Sequence, residues 1–170
     1  GGFIMLPRVF KKTIQQNMPL MKIISTIHNT VFGRNKIHIK GRGNKLDIKP
    51  NVLLSNNKII IEGNNNTIEI NCGSRITNTY IYIWGEGHNL KMGKDVIYRQ
   101  GTMLLKDKGS IIGFGDGTTV EDAYLVASES GKILIGRDCM IGHGVDIRNG
   151  DSHSIVDAST GERLNPPKDI

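Results

Sequence analysis

The chain has 170 residues and a net charge of +6, with 38% hydrophobic but only 5% aromatic residues. Ile occurs 25 times, Gly 21 times and Asn 15 times, which excludes a disordered chain and favours strands and turns over helices. No apolar run reaches the roughly 18–20 residues of a membrane span, and two Cys make neither a disulfide framework nor a CxxC zinc site.

The N-terminal part carries most of the positive charge. Residues 1–50 hold ten Lys or Arg and one acid, a net +9, whereas residues 51–170 carry a net −3. Such an end is either a solvated basic cap or a surface for an anionic membrane, glycan or nucleic acid. No nucleic-acid-binding motif is present, so we expect no nucleic-acid partner and allow for a peripheral membrane contact.

Residues 1–22 are expected to form a cap ahead of the repeats. Gly1 and Gly2 precede Met5 and resemble an expression remnant, and no signal-peptide cleavage site follows, which favours a cytoplasmic protein. Residues 8–18 predict a short helix that ends at Pro19 and caps the end of a sheet.

An internal repeat of 22 residues extends over residues 23–156, interpreted as one domain. Three short strands per repeat predict an all-β parallel solenoid of about six coils, a three-sided prism with Asn and Gly at its corners. A β-sandwich of hairpins leaves the fixed spacing unexplained. Three apolar series recur at this spacing and are broken only at Gly142: Ile24, Leu46, Ile68, Leu90, Ile112, Leu134 and Val156; Ile37, Ile59, Ile81, Met103, Leu125 and Ile147; Phe32, Leu54, Ile76, Tyr98 and Val120.

One outward-facing series is apolar as well. It predicts a surface for self-association, or alternatively a surface covered by the N-terminal segment. Its members are Ile60, Tyr82, Leu104 and Val126.

The apolar spacing shortens to six residues after Ile135, where Ile141 and Ile147 follow, and the runs DSHSI and NPPKDI come next. This stretch of 36 residues resembles the hexapeptide-repeat acyltransferases, and its D-x-H-S-I and N-x-x-K-D-I motifs resemble those of sugar and polysaccharide O-acetyltransferases. The resemblance implies a left-handed parallel β-helix, acetyl-CoA as co-substrate, a sugar or polysaccharide acceptor, and a homotrimer.

The resemblance also implies that His153 is the general base that takes a proton from the acceptor hydroxyl. Asp151 is the nearest candidate to fix its tautomer, with Asp157 second. Asn149 replaces an apolar residue of the inward series, so it either binds acceptor or satisfies turn backbone. Arg148 is expected to point outward, where it either binds an anionic acceptor or cofactor phosphate or is solvated.

Members of the family continue past the K-D-I motif with further hexapeptide coils, which form much of the acetyl-CoA groove and the trimer contact. The sequence ends at Ile170. We therefore expect residues 157–170 to be a loop that leads to a missing or truncated coil, and leave open whether this chain alone is active.

Two other functions stay open. The repeat and its outward apolar row suit a non-catalytic scaffold or assembly module. A right-handed polysaccharide lyase or hydrolase needs clustered carboxylates, and Asp107, Glu129 and Asp151 align at the 22-residue spacing, although a solvated edge explains them equally well.

Other candidate residues carry weaker signals. Cys139 and His143 are too few to hold a zinc ion, so no metal is expected. Trp84 is expected to pack rather than to stack on a ligand, and His38 and His88 show no partner pattern.

Overall fold

The computed structural model describes residues 18–170, and within them three parallel sheets form the sides of a prism. The first sheet contains β1 (Lys36–Lys40), β4 (Lys58–Asn64), β7 (Thr79–Glu86), β10 (Gly101–Lys108), β13 (Ala123–Ala127) and β16 (Val145–Arg148). The second contains β2 (Lys45–Ile48), β5 (Thr67–Ile70), β8 (Asn89–Met92), β11 (Ile111–Phe114) and β14 (Lys132–Ile135). The third contains β3 (Leu53–Ser55), β6 (Arg75–Thr77), β9 (Ile97–Tyr98), β12 (Thr119–Val120) and β15 (Met140–Ile141).

The strand register confirms the predicted parallel solenoid, with about five turns where the sequence predicted about six coils. Ile59 pairs with Ile81 and Ile81 with Met103, each 22 residues further along the chain. These residues are completely buried, because alternate side chains of every strand point into the prism. Each such side chain contributes about 1.5–3 kcal/mol through removal from water. The left-handed sense implied by the resemblance stays a prediction.

Polar side chains at the corners link successive coils. The Oδ1 atom of Asn44 accepts from the Asn66 N–H at 3.0 Å, and that of Asn66 accepts from the His88 N–H at 2.9 Å. The Nδ1 atom of His88 continues the ladder by accepting from the Ser110 N–H at 3.0 Å. His88 is therefore a buried structural partner, a role that the sequence pattern did not predict.

One coil is a residue shorter than the repeat, which corrects the first apolar series. Ile112 pairs with Ile133, 21 residues ahead, so Leu134 faces outward and is 56% exposed. A shift of one residue moves a strand's side chains to the opposite face. The turn before β14 is the shortened one.

The N-terminal end of the solenoid is helical, which corrects the first members of the first and third series. The helix α1 (Met18–Ile27) is followed by a π-helical turn (His28–Phe32) that packs on β3, and Ile24 and Phe32 are exposed there. Asn29 fixes this cap by bonding the backbone of the third sheet. Pro19 lies in the first turn of α1 rather than ending a helix. Proline is tolerated there because the N–H groups of a first turn have no partner within the helix. The rest of the predicted helix, residues 8–17, lies outside the described residues.

Two further predictions differ at the surface. Val156 is 55% exposed and bridges Arg163 in a loop, so it does not extend the core. In the outward apolar row Val126 is only 5% exposed, while its other members are half-buried. No helix between residues 18 and 170 is long and apolar enough to cross a membrane.

Candidate active site

The candidate site lies on the loop that leaves β16 at the last coil. The chain folds back so that Val156 bridges Arg163, and Lys168 donates its N–H to the Asn149 carbonyl at 2.9 Å. Ile170 then pairs with β14, donating to the Lys132 carbonyl at 2.9 Å. An open groove of about 470 Å³ lies between the end of β16 and the returning chain.

Asn165 fastens the two sides of this loop together. Its Nδ2 atom lies 2.8 and 2.7 Å from the two carboxylate oxygens of Asp151 and 2.6 Å from the His153 carbonyl. Its Oδ1 atom accepts from the Ile155 N–H at 2.6 Å. One amide therefore holds the segment 151–155 in place, and hydrogen bonds from Asn165 and from the His153 backbone lower the pKa of Asp151.

His153 is exposed, and within the described residues its ring nitrogens have no hydrogen-bond partner. The Asp151 carboxylate accepts from the backbone N–H of His153 at 3.2 Å, not from its ring. Asp151 thus positions the backbone that carries the imidazole, whereas the sequence suggested that it fixes the ring tautomer. The ring itself is free to meet a substrate hydroxyl.

Asp157 is used within its own turn. Its Oδ1 atom accepts from the N–H groups of Ser159 and Thr160 at 2.7 and 3.0 Å. The Ser159 hydroxyl also donates to it, and these bonds lower the pKa of Asp157. Its carboxylate shapes the returning loop, and the described hydrogen bonds do not join it to His153.

Asn149 is 5% exposed and bonds to Ser128 with both ends of its amide. Its Oδ1 atom accepts from the Ser128 N–H at 2.8 Å, and its Nδ2 atom donates to the Ser128 carbonyl at 3.0 Å. The Asn149 amide therefore satisfies turn backbone, which is one of the two roles that the sequence allows. Asn149 supports the coil directly before the histidine loop.

Arg148 points outward, as expected, and is paired with Asp146. Its Nε and Nη2 atoms each lie 2.8 Å from a carboxylate oxygen of Asp146, and the guanidinium lies 5.0 Å from the centre of the Tyr124 ring. The hydrogen bonds from Arg148 lower the pKa of Asp146. Arg148 is exposed at the edge of the groove.

The aligned acids Asp107, Glu129 and Asp151 have separate partners. Asp107 accepts from the Glu129 N–H at 3.2 Å, and Glu129 forms a two-point ion pair with Arg163 that lowers its pKa. Asp151 is held by Asn165, so the described hydrogen bonds of the three carboxylates do not join them to one another through their oxygens. No group of three metal-ligating side chains occurs among residues 18–170.

The sequence assigned no role to Asn165 or Arg163, although both lie in the 36-residue stretch that carries the resemblance. Their partners Asp151 and Glu129 lie 14 and 34 residues earlier, so only the folded loop shows the contacts. A further link joins Lys106 to the loop, since its Nζ atom lies 3.2 Å from the Ser152 hydroxyl.

Comparisons with known proteins confirm the resemblance to sugar and polysaccharide O-acetyltransferases with a parallel solenoid fold. The chain is 47% identical over 53 residues to a polysialic acid O-acetyltransferase of Neisseria meningitidis. It is 36% identical over 67 residues to an enzyme of the same name from Escherichia coli O1:K1 / APEC. No family model matches the sequence.

Two solved structures share the fold. The polysialic acid O-acetyltransferase OatWY superposes with a TM-score of 0.75 at 30% identity, over 78% of this chain and 63% of that one. The polysialic acid acetyltransferase NeuO gives a TM-score of 0.70 at 26% identity, over 80% and 62%. The sequence matches span 31% and 39% of this chain but only 25% and 22% of the curated relatives.

Proposed function

We propose that this protein transfers an acetyl group from acetyl-CoA to a hydroxyl of an anionic sugar polymer. The observation that carries the proposal is the exposed His153 imidazole on a loop held by Asn165 and Asp151. Similarity in sequence and fold to polysialic acid O-acetyltransferases supports both the reaction class and the acceptor class.

The chemistry requires one proton carrier. The sugar oxygen attacks the thioester carbon as His153 takes the hydroxyl proton, which forms the C–O bond. The C–S bond then breaks, and the imidazolium returns the proton to the thiolate of CoA. Histidine suits both proton transfers because its ordinary pKa lies close to neutral pH.

The loop residues around His153 hold its imidazole in place and do not carry the proton themselves. A general base must lie within hydrogen-bond reach of the hydroxyl, and errors of about 1 Å cost about a hundredfold in rate. Asn165 binds both the Asp151 carboxylate and the His153 carbonyl, so it fixes the position of the backbone from which the imidazole extends. We assign Asp151 and Asn165 as positioning residues and His153 as the catalytic residue.

The surroundings fit an anionic acceptor. Arg148 and Lys168 border the 470 Å³ groove, and sialic acid carries one carboxylate per sugar. Asp146 holds part of the Arg148 charge, which leaves Lys168 as the more available cation. A homotrimer and a cytoplasmic location, expected from the sequence, complete the proposal.

The proposal is tested by supplying acetyl-CoA and polysialic acid together and measuring free thiol and acetylated polymer. We expect thiol release that depends on the polymer and matches the ester groups formed. Thiol release at the same rate without polymer, or no ester in the recovered polymer, would overturn the proposal. Dextran, a neutral polymer, is the matched acceptor control.

A further inference from the structure

Half-buried or exposed aromatic side chains are concentrated on one side of the prism. The chain has four Tyr and one Trp, and Tyr80, Tyr82, Trp84 and Tyr124 all lie at outward positions of the first sheet. We call these four side chains the aromatic face. Outward residues of a solenoid contribute little to its core, so the concentration calls for another explanation.

The aromatic face has rings arranged to receive a flat apolar surface. Trp84 is 54% exposed and borders an open groove of about 590 Å³. Two lysines and three carboxylates also line this groove: Lys40, Lys108, Glu62, Glu86 and Asp107. The rings of Tyr80 and Tyr82 are stacked, with centres 6.1 Å apart and planes inclined by 14°. Sugar rings present C–H faces that pack on such aromatic surfaces.

The charge around the aromatic face is positive. On the outward positions of the first sheet there are six basic side chains and three carboxylates, a formal net of +3. All three carboxylates have partners: Glu62 accepts from the Tyr82 hydroxyl at 2.8 Å, Asp146 pairs with Arg148, and Glu86 lies 3.5 Å from the Asn65 Nδ2 atom. The basic residues are Lys36, Lys40, Lys58, Lys106, Lys108 and Arg148.

The aromatic face is continuous with the histidine loop. Lys106 pairs with Trp84 in the sheet register and its Nζ atom reaches Ser152, the residue before His153. Arg148 ends the same sheet five residues before His153. Six strands at about 4.8 Å spacing span about 24 Å, enough for several sugar units.

We propose that the aromatic face binds the acceptor polymer outside the reacting unit, with Trp84 as its stacking platform. The ligand is an anionic sugar polymer, since the face combines exposed rings with a net positive charge. This inference rests on the proposed function. A twofold contact between two copies of this face fits less well, because it would bring like charges together.

Binding is measured through Trp84 itself, since it is the only Trp in the sequence. Titration of the His153→Ala protein with polysialic acid should change the tryptophan emission in a saturable, salt-sensitive way. Poly-L-glutamate and dextran should leave the emission unchanged. An equal response to poly-L-glutamate would show attraction by charge alone and overturn the proposal, as would no response to polysialic acid.

Kinetics separate the face from the reaction centre. Trp84→Ala should raise the KM for long polysialic acid roughly tenfold, leaving kcat and the rate with a sialic acid dimer unchanged. Trp84→Phe, which retains a ring, should restore most of the affinity. Lys58→Ala should also raise KM, whereas Lys91→Ala on the second sheet should not. Equal losses with dimer and polymer would contradict an extended subsite.

The two proposals fail in distinguishable ways. Polymer binding at Trp84 without acetyl transfer would retain the subsite and refute the acetyltransferase activity. Acetyl transfer to polymer that is insensitive to Trp84→Ala would retain the activity and refute the subsite. An emission change that follows protein dilution rather than added polymer, with a matching change in sedimentation, would assign the face to self-association and overturn the subsite.

Discussion

Asn165 binds both carboxylate oxygens of Asp151, at 2.8 and 2.7 Å, across the loop that carries His153. The same amide reaches the His153 carbonyl at 2.6 Å. Neither contact involves the imidazole, so the pair sets the path of the backbone and leaves the ring accessible. The contact joins residues 14 apart, so forming it restricts the whole segment between them.

Replacement of Asn165 by Ala should release the loop. Asp151 would lose its amide partner and the Ile155 N–H its acceptor, so amide exchange across residues 151–155 should become faster. Acetyl transfer should fall about 10- to 100-fold, mainly in kcat, because the base is no longer held in reach.

Asn89→Ala is the matched control, since Asn89 is an exposed residue of β8. Unchanged exchange in the loop of Asn165→Ala would contradict the clamp, whatever its effect on activity.

His88 should make stability depend on pH. Its Nδ1 atom accepts from the Ser110 N–H and its Nε2 atom faces the Trp84 carbonyl, so the folded state holds it neutral. Burial lowers its pKa below the ordinary value of about 6.5. Between the two values the unfolded chain binds more protons, so stability falls as pH drops below about 6.5 and levels off below the folded pKa.

His88→Asn isolates this effect, because Asn occupies the same ladder position in the two preceding coils, at Asn44 and Asn66. The melting temperature of the wild type should decrease between pH 7.5 and 5.5 more than that of the variant. The exposed histidines are common to both proteins and cancel in the comparison. Parallel pH curves would refute the role assigned to His88.

Gly63 should tolerate no side chain. Its φ of +135° is one that L-residues rarely adopt, and an added Cβ would overlap the carbonyl oxygen of Gly85 in the next coil. Gly63→Ala should therefore cost more than about 3 kcal/mol in urea unfolding. Gly87→Ala is the control, because its φ of +70° has open space around it, and it should cost about 1 kcal/mol. Similar losses in the two variants would contradict the close stacking of coils at this corner.

The shortened coil predicts opposite results for two neighbouring residues. Ile133 is completely buried, so Ile133→Ala should lower the free energy of unfolding by about 2–5 kcal/mol. Leu134 is 56% exposed, so Leu134→Ala should change it by less than about 0.5 kcal/mol. A larger loss of unfolding free energy in Leu134→Ala than in Ile133→Ala would contradict the shortened coil and favour an uninterrupted 22-residue register.

The solenoid could be predicted because its information is periodic. Ile59, Ile81 and Met103 repeat one environment, so a single spacing gives the strands, the core and the sheet order. The exceptions are local. A one-residue deletion before Ile133 preserves the apolar character of the sequence, and only backbone pairing shows which neighbour faces inward.

The site was harder to predict because its contacts are not periodic. His153 was found through a motif, but the roles of Asp151 and Asn149 depend on which partner each side chain reaches after the loop folds back. The Asn165 clamp and the Glu129–Arg163 ion pair join distant positions on an irregular path. Residue identity alone does not specify such pairs.

The most direct test compares acetyl transfer to polysialic acid by the wild type, His153→Ala and His38→Ala. His38 is an exposed histidine on β1, and its replacement should leave the rate unchanged. Loss of the general base should reduce kcat by about 10²- to 10⁴-fold while the variant keeps its melting temperature and its polymer-dependent tryptophan emission. Ester formation by His153→Ala at the wild-type rate would contradict the account.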